Sequence, residues 1–169
     1  DTKGKIVAET VSSRQMAKAG EMVSSKLSLR VKKPHLWYPN APYLYNLETS
    51  LLEDDTPIDC LTIPYGIRTV KFESNTGFWI NDKNIKLKGV ADHREVMPVG
   101  QAIPDKLLKW RLRLLKDMGC NAIRTAHNPH TPKFYELCDK MGIMVMDEIF
   151  DGWQRKGAND YGERFFDKW

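Results

Sequence analysis

The sequence predicts part of a β-sandwich followed by the beginning of a (β/α)8 barrel. Residues 1–72 contain short segments in which apolar and polar residues alternate, as in half-buried strands. Residues 105–146 instead alternate between helical and strand patterns. A helix followed by a strand forms a unit that repeats after 23 residues, so that Gly119 and Gly142 occupy equivalent positions. We therefore predict two domains, a partial immunoglobulin-like sandwich over 1–72 and the first three βα units of a barrel over 73–169.

In the first part, alternation predicts strands over residues 5–10, 27–31 and 43–52. Residues 53–57 are rich in turn formers, so residues 58–63 are expected to return as a hairpin partner. An immunoglobulin-like sandwich needs about seven strands, whereas about four or five are recognisable. The N-terminal strands are therefore expected to be missing from this chain.

Two landmarks follow near the end of the sandwich part. Residues 34–42 contain three prolines and several aromatic residues, which are expected to pack over the sandwich edge rather than stack on a sugar. Arg68 follows a Tyr-Gly-Ile segment and is expected to form an ion pair at the domain junction, with a surface position as the alternative.

In the second part, residues 85–90 are expected to form the first barrel strand. Apolar residues at helical spacing predict one helix over 105–118 and another from Thr131 to Gly142, each followed directly by a strand, at 121–126 and 143–146. Strands of consecutive βα units lie side by side. A closed barrel needs eight strands in about 250 residues, so the C-terminal part is also expected to be truncated.

Polar residues cluster where the three predicted barrel strands end. His93 follows the first, Arg124 and His127 lie at the second, and Asp147 and Glu148 follow the third. These strand ends share one face of a barrel, where the active sites of such enzymes lie. Arg124 interrupts a nearly apolar run and therefore requires a carboxylate partner.

The segments that carry these residues resemble glycoside hydrolase family 2, which contains β-galactosidases, β-glucuronidases and β-mannosidases. Residues 121–129 read Asn-Ala-Ile-Arg-Thr-Ala-His-Asn-Pro, residues 89–93 read Gly-Val-Ala-Asp-His, and residues 147–148 read Asp-Glu. Residues 36–45, Leu-Trp-Tyr-Pro-Asn-Ala-Pro-Tyr-Leu-Tyr, resemble a segment of the family's middle sandwich domain. The resemblance covers nearly the whole chain and implies a fragment of a longer enzyme.

The resemblance implies a role for each residue at the strand ends. His93 and His127 match histidines that contact the sugar, and Arg124 matches the arginine that pairs with the catalytic nucleophile. Asp147 and Glu148 are expected to shape the site or bind substrate. Neighbours on a regular strand point to opposite faces, so the two carboxylates are not expected to flank one glycosidic bond.

Several positions depart from the family pattern or extend beyond it. Ala91 and Asp92 stand where the family often has Asn-Arg or Asn-Lys, and Asn128 stands where it often has Tyr, so the contacts of these positions are expected to differ. Trp153, with its neighbour Asp151, is expected to line the substrate entrance, with loop packing as the alternative. Residues 163–169 are expected to begin a helix.

The resemblance also implies where the catalytic residues lie. In the family, the acid/base glutamate follows strand four in an Asn-Glu pair, and the nucleophile follows strand seven. No Asn-Glu pair occurs in the 169 residues, so no catalytic carboxylate is expected in this chain, and the chain alone is expected to be inactive. Terminal β-galactosides are the expected substrates. β-Glucuronides or other family substrates are the alternative, and a non-catalytic carbohydrate-binding module is a further one.

Composition and charge bear on partners. The net charge is +4 with basic and acidic residues interleaved, so a nucleic-acid partner is not expected. No apolar run approaches the ~18–20 residues of a membrane helix, so no membrane partner is expected. A metal site at His127 and His130 with Asp147 or Glu148 is disfavoured, because Pro129 separates the histidines.

Other properties stay open at this level. No cofactor is expected, although the resemblance allows Mg²⁺ or Na⁺ in the longer protein, which is also considered as a homo-oligomer. An incomplete barrel edge is expected to self-associate. Cys60, Cys120 and Cys138 are unclustered and in apolar settings, so we predict three buried free thiols. They leave the compartment open between cytoplasm and periplasm.

Overall fold

The computed structural model describes residues 1–149. The chain forms two compact units, one of residues 1–37 with 43–67 and the other of residues 38–42 with residue 68 onward. The division at residues 72 and 73 stays a prediction. Within the described part of the chain, no helix is both long enough and apolar enough to span a bilayer.

The first unit contains one antiparallel hairpin of β1 (Tyr45–Glu53) and β2 (Thr56–Tyr65). Asp54 and Asp55 form its two-residue turn and both have positive φ, 46° and 66°. This left-handed turn matches the twist of the paired strands, and aspartate tolerates it better than most residues. The predicted third strand and its hairpin partner are therefore confirmed.

The strands predicted at residues 5–10 and 27–31 are wrong for the described chain. Neither segment pairs with another strand, and nearly all of their residues are exposed. Alternation describes the two faces of a strand, but a strand also needs a neighbouring backbone to satisfy its N–H and C=O groups. The described residues provide no such neighbour for either segment.

Trp37 is the most deeply buried aromatic residue of the first unit, ahead of Tyr45. It is 1% exposed, and its backbone N–H donates to the Ile67 carbonyl at 2.8 Å. A Cβ at Gly66 would lie 3.0 Å from the Trp37 side chain, so any larger residue would require this side chain to move by a few tenths of an ångström. The expectation that the aromatic residues of 34–42 pack on the sandwich part is confirmed for Trp37.

Up to residue 149, the second unit contains two three-stranded sheets. The antiparallel sheet is formed by β3 (Val70–Glu73), β4 (Gly77–Ile80) and β5 (Lys83–Asn84). The parallel sheet is formed, in this order, by β6 (Gly89–Asp92), β7 (Ala122–Thr125) and β8 (Met144–Met146). Three neighbouring parallel strands in chain order are the arrangement predicted for the start of the barrel.

The first barrel strand was predicted over residues 85–90, but in the structure it begins only at Gly89. Its partner β7 starts at Ala122, so the ladder begins only at the opposite residue, Gly89. A Cβ at Gly89 would lie 2.2 Å from the Ala122 carbonyl oxygen, which explains the glycine at this point. The preceding residues alternate as a strand does but have no ladder partner along their length.

Both predicted helices are confirmed, as α1 (Asp105–Asp117) and α2 (Pro132–Met141). Pro132 occupies the first turn of α2, where its missing N–H costs nothing, and Gly142 ends this helix with φ 73°. The helices pack on the parallel sheet around a buried core. Its members are Leu108, Leu112, Ile123, Phe134, Leu137, Cys138 and Ile143.

The three cysteines are free, as predicted, but they differ in burial. Cys138 is buried in the core, Cys120 is partly buried, and Cys60 is exposed. The prediction of a buried thiol is wrong for Cys60, because β2 is exposed along its whole length. Burial raises the pKa of the Cys138 thiol to about 12, with Asp139 and Asp92 adding to the effect.

Arg68 belongs to the second unit and is the first residue of the longer of its two chain segments. The pKa of Asp139 is raised because the residue is partly buried, and the charge of Arg68 opposes part of this rise. Arg68 therefore acts on a carboxylate within the second unit, and its role at a domain junction stays a prediction.

Candidate functional site

The site lies at the carboxyl ends of β6, β7 and β8. Because the strands are parallel, His93, His127 and Glu148 follow their strands at the same edge of the sheet. The rings of His93 and His127 meet edge to face, with their centroids 5.2 Å apart. The structure thus brings together two histidines that are far apart in sequence, and their contact with a sugar stays a prediction.

Glu148 joins two of the predicted site residues. Its Oε2 lies 2.9 Å from Nδ1 of His127, and its Oε1 lies 3.2 Å from Nε of Arg124. Arg124 therefore has the carboxylate partner that the sequence predicted, although its side chain is 47% exposed rather than buried. When Nδ1 of a neutral His127 donates to Glu148, Nε2 is the ring nitrogen left to accept a hydrogen bond from a ligand.

Asp147 faces different partners from Glu148. Its Oδ1 accepts hydrogen bonds from Thr125 Oγ1 at 2.8 Å and from the Tyr135 hydroxyl at 2.6 Å. Burial raises the pKa of Tyr135, and the hydrogen bond to Asp147 adds to this shift. The two adjacent carboxylates thus diverge, as the sequence predicted.

Thr125 causes this divergence, rather than strand alternation. Both carboxylates come after the end of β8 at Met146. The fully buried Thr125 hydroxyl donates to Asp147 and accepts from the backbone N–H of Glu148 at 2.8 Å. One side chain on the middle strand therefore fixes the start of the loop after β8.

A second polar cluster surrounds Asp92, the last residue of β6. Asp92 is 3% exposed and is paired with Arg111 of α1 and with Nε2 of His130, the latter at 3.2 Å. Its Oδ1 also accepts from the backbone N–H of Arg94 at 3.3 Å. From the sequence, Asp92 stands out only as a departure from the family pattern, and no motif marks Arg111. A carboxylate directly before His93 was the available signal.

The donors proposed for a metal site do not converge. Among residues 1–149, no group of three or more His, Cys, Asp or Glu side chains has the geometry to hold a metal ion. His127 pairs with Glu148, whereas His130 pairs with Asp92. The alternative of a metal site at the two histidines therefore lacks a shared position for the ion.

An open cavity of about 480 Å³ lies over the parallel sheet within the second unit. Its lining is mainly apolar, with side chains such as Phe72, Phe78, Leu87 and Met144, and Arg124 also borders it. Trp153, Asp151 and residues 163–169 lie outside the described residues, so their predicted positions stay predictions.

Comparisons with known proteins agree with this architecture. The family model described as "Glycosyl hydrolases family 2" matches residues 1–68, and the one described as "Glycosyl hydrolases family 2, TIM barrel domain" matches residues 70–153. Together the two matches cover most of the chain.

Individual relatives agree as well. The chain is 42% identical over 170 residues to a β-galactosidase from Bacteroides ovatus, covering 100% of this chain and 20% of the relative. It is 36% identical over 133 residues to a β-glucuronidase from Bacteroides fragilis, covering 78% of this chain and 19% of the relative. A β-glycosidase crystal structure from Bacteroides vulgatus superimposes with a TM-score of 0.74 at 53% identity, covering 82% of this chain and 18% of that one.

The chain therefore spans about one fifth of the length of these relatives. The matched segments coincide with the hairpin unit and with the parallel sheet whose polar edge is described above. The chain belongs to glycoside hydrolase family 2 and comprises part of its sandwich and the beginning of its TIM barrel.

Proposed function

We propose that this chain is part of a retaining β-glycosidase that hydrolyses terminal β-galactosides. Family membership supports hydrolysis of a glycosidic bond. The single observation that carries the proposal within the chain is the polar edge of the parallel sheet, where His93 and His127 meet beside the Arg124–Glu148 ion pair. In barrel enzymes this edge is the catalytic one.

In this proposal the two histidines bind sugar hydroxyls. Their rings lie edge to face, so their nitrogens present two separate hydrogen-bonding positions to one sugar ring. Hydrogen bonds of this kind accelerate the reaction when they strengthen as the sugar becomes oxocarbenium-like in the transition state. Glu148 fixes the orientation of His127, so the ring nitrogen that binds substrate is preorganised.

Arg124 would hold the catalytic nucleophile. Its Nε is engaged by Glu148, and the two terminal nitrogens of a guanidinium supply four further N–H donors. A second carboxylate bound there would remain ionised and fixed in orientation, as a nucleophile requires. The Glu148 pair orients the guanidinium for this role.

Asp147 and Glu148 are not the catalytic pair in this proposal. A retaining glycosidase places two carboxyl groups about 5–5.5 Å apart on one glycosidic bond. Asp147 is bound by Thr125 and Tyr135, and Glu148 is bound by Arg124 and His127. The acid/base and the nucleophile would come from outside residues 1–169, and the chain alone would be inactive.

A β-glucuronidase is the second candidate. It is favoured by the relative from Bacteroides fragilis that bears this name. The two substrates differ in the orientation of the C4 hydroxyl and at C6, where a glucuronide carries a carboxylate. A glucuronidase must bind this carboxylate with cationic or hydrogen-bonding groups. Such groups would come from segments beyond this chain.

Hydrolysis of aryl β-galactosides, β-glucuronides and β-mannosides tests the proposal. We would compare the 169-residue chain with the longer protein that continues through the rest of the barrel. We expect turnover by the longer protein only, with the galactoside preferred. Preference for the glucuronide would select the second candidate, and turnover by the 169-residue chain would overturn the assignment of the catalytic carboxylates.

A further inference from the structure

We propose that Asp92 is a positioning residue of this active site, whose buried carboxylate fixes the loops that carry His93 and His127 relative to each other. The inference rests on the proposed glycosidase function. It concerns how the two sugar-binding histidines keep their 5.2 Å ring separation.

The first observation is the burial of Asp92 together with its complete set of partners. The residue is 3% exposed and pairs with Arg111, with His130 and with the backbone N–H of Arg94. A buried carboxylate is strongly unfavourable unless its oxygens are paired. Its partners come from α1 and from the loops after β6 and β7, so the carboxylate joins three parts of the chain.

The loop after β6 is held on both sides of its turn. Arg94 donates from Nη1 to the Pro129 carbonyl at 3.0 Å, and Arg111 donates from Nη1 to the Glu95 carbonyl at 3.3 Å. Asp92 binds the backbone of Arg94 and the side chain of Arg111. His93 therefore lies between two residues whose positions depend on this cluster.

The loop after β7 is held at its two ends. The backbone N–H of Ala126 donates to the Asp92 carbonyl at 2.9 Å, immediately before His127. The side chain of His130 reaches the Asp92 carboxylate immediately after Pro129. His127 thus lies in a short loop that is tied to the backbone of Asp92 at one end and to its carboxylate at the other.

His130 depends on Asp92 for its polar contact. Its side chain is 3% exposed and packs against Phe134 with the ring centroids 4.4 Å apart. Its Nδ1 has no hydrogen-bond partner within residues 1–149, so the Nε2–Asp92 contact is the polar interaction that orients the ring. Its backbone N–H donates to the Tyr135 hydroxyl at 2.8 Å, and this hydroxyl in turn donates to Oδ1 of Asp147. The cluster therefore extends to the third strand end.

Backbone pairing alone does not provide this control. The ladder between β6 and β7 ends at Asp92 and Thr125, and both histidines lie beyond it. Beyond the ladder, loop geometry depends on side-chain contacts. The polar cluster around Asp92 therefore controls the positions of His93 and His127 more than it controls the pairing of the strands.

Kinetics of Asp92→Asn in the longer, active protein test the inference. Asparagine keeps the size of the side chain but removes its charge and one acceptor. We expect kcat/KM to fall about tenfold, since a small displacement of a binding group can cost up to about 100-fold. Asp117→Asn is the matched control, because Asp117 is an exposed aspartate at the end of α1, and kcat/KM should be unchanged.

A double-mutant cycle separates positioning from general stability. If Asp92 acts through His127, Asp92→Asn should reduce kcat/KM much less in a His127→Ala background, about threefold or less. An equal reduction in both backgrounds would overturn the proposal. His130→Gln, which can place an N–H near Asp92, should retain more activity than His130→Phe, which keeps the volume without the donor.

Amide hydrogen exchange provides a measurement that does not depend on turnover. In the same longer protein, Asp92→Asn should accelerate exchange in residues 93–96 and 126–130, whereas Asp117→Asn should not. Unchanged exchange in both segments would overturn the inference. If the wild-type protein hydrolyses none of the aryl glycosides, the proposed function fails, and exchange still decides whether Asp92 fixes the loops.

Discussion

Oε2 of Glu148 lies 2.9 Å from Nδ1 of His127, across the edge of two neighbouring parallel strands. The same carboxylate binds Arg124 through its other oxygen. One side chain after β8 therefore orients Arg124 of β7 and His127 of the loop that follows it, and it occupies Nδ1 of His127.

The first prediction concerns this carboxylate. In the longer, active protein, Glu148→Gln should reduce kcat/KM about tenfold, because the amide cannot serve as a charged acceptor for both Arg124 and His127. The unfolding free energy should change by less than about 1 kcal/mol, since all three side chains are partly exposed. Steady-state kinetics and urea unfolding measure the two effects.

Glu136→Gln is the control for this prediction. Glu136 is also paired with two cations, Lys133 and Lys140, but it lies on α2 away from the strand ends. Its substitution should leave kcat/KM unchanged. Similar losses in the two variants would show that orientation of His127 is not the function of Glu148.

The second prediction concerns Thr125. Thr125→Val keeps the shape of the side chain but leaves the N–H of Glu148 and one contact of Asp147 without a partner. Asp147 is exposed and Glu148 is half-buried, so water replaces part of the lost bonding. The unfolding free energy should therefore fall by about 0.5–1.5 kcal/mol, the net contribution of a typical hydrogen bond. Thr131→Val should change it by less than about 0.5 kcal/mol, because the Thr131 side chain makes no capping hydrogen bond. Equal midpoints in urea for both variants would contradict this account.

The third prediction compares the two glycines that follow the helices. Gly119 and Gly142 both have positive φ, 89° and 73°. A Cβ at Gly119 would meet nothing within 4 Å, whereas one at Gly142 would lie 2.0 Å from the Pro39 carbonyl oxygen. Gly119→Ala should therefore cost only the conformational penalty of about 1 kcal/mol.

Gly142→Ala should cost clearly more than Gly119→Ala, because residues 38–42 must also move away from α2. Thermal or urea unfolding of the two variants measures the difference. Equal destabilisation would mean that the approach of Pro39 to Gly142 is not maintained in solution.

The fourth prediction concerns thiol reactivity. The thiolate is the reactive form, and burial raises the pKa of Cys138 to about 12, so this thiol stays protonated at pH 8. Iodoacetamide should label the exposed Cys60 rapidly and Cys138 only after unfolding. Peptide mass spectrometry after a short labelling pulse distinguishes them, and rapid native labelling of Cys138 would contradict its burial.

The fifth prediction concerns acid stability. Lys140 and Lys133 lower the pKa of Glu136 from 4.5 to about 2. A lowered carboxylate pKa stabilises the fold above the unfolded value, and this contribution is lost as the pH falls from about 4.5 to about 2. The difference in Tm between wild type and Glu136→Gln should therefore be largest near neutral pH and shrink to a small fraction near pH 2. A difference that is undiminished at pH 2 would exclude the ion pairs as its cause.

The local sequence determined the helices, the order of the parallel strands and the placement of polar residues at the strand ends. Helical periodicity, Pro132 and the glycines at 119 and 142 lie within a few residues of the elements that they define. His93 and His127 are also marked by local signals, because each lies in a short motif at the end of a strand. The predicted strands at 5–10 and 27–31 failed because pairing requires a second backbone, which alternation within one segment does not describe.

Only the tertiary structure decided which side chains pair at the site. Asp92 meets Arg111 across 19 positions in sequence and His130 across 38, and Thr125 meets Asp147 across 22. No local pattern marks these partners, because parallel strands joined by helices bring together residues from successive βα units. The sequence by itself determined where polar groups lie along the chain. The packing of three strands and two helices decided that Glu148 orients His127 and that Asp92 joins the loops around it.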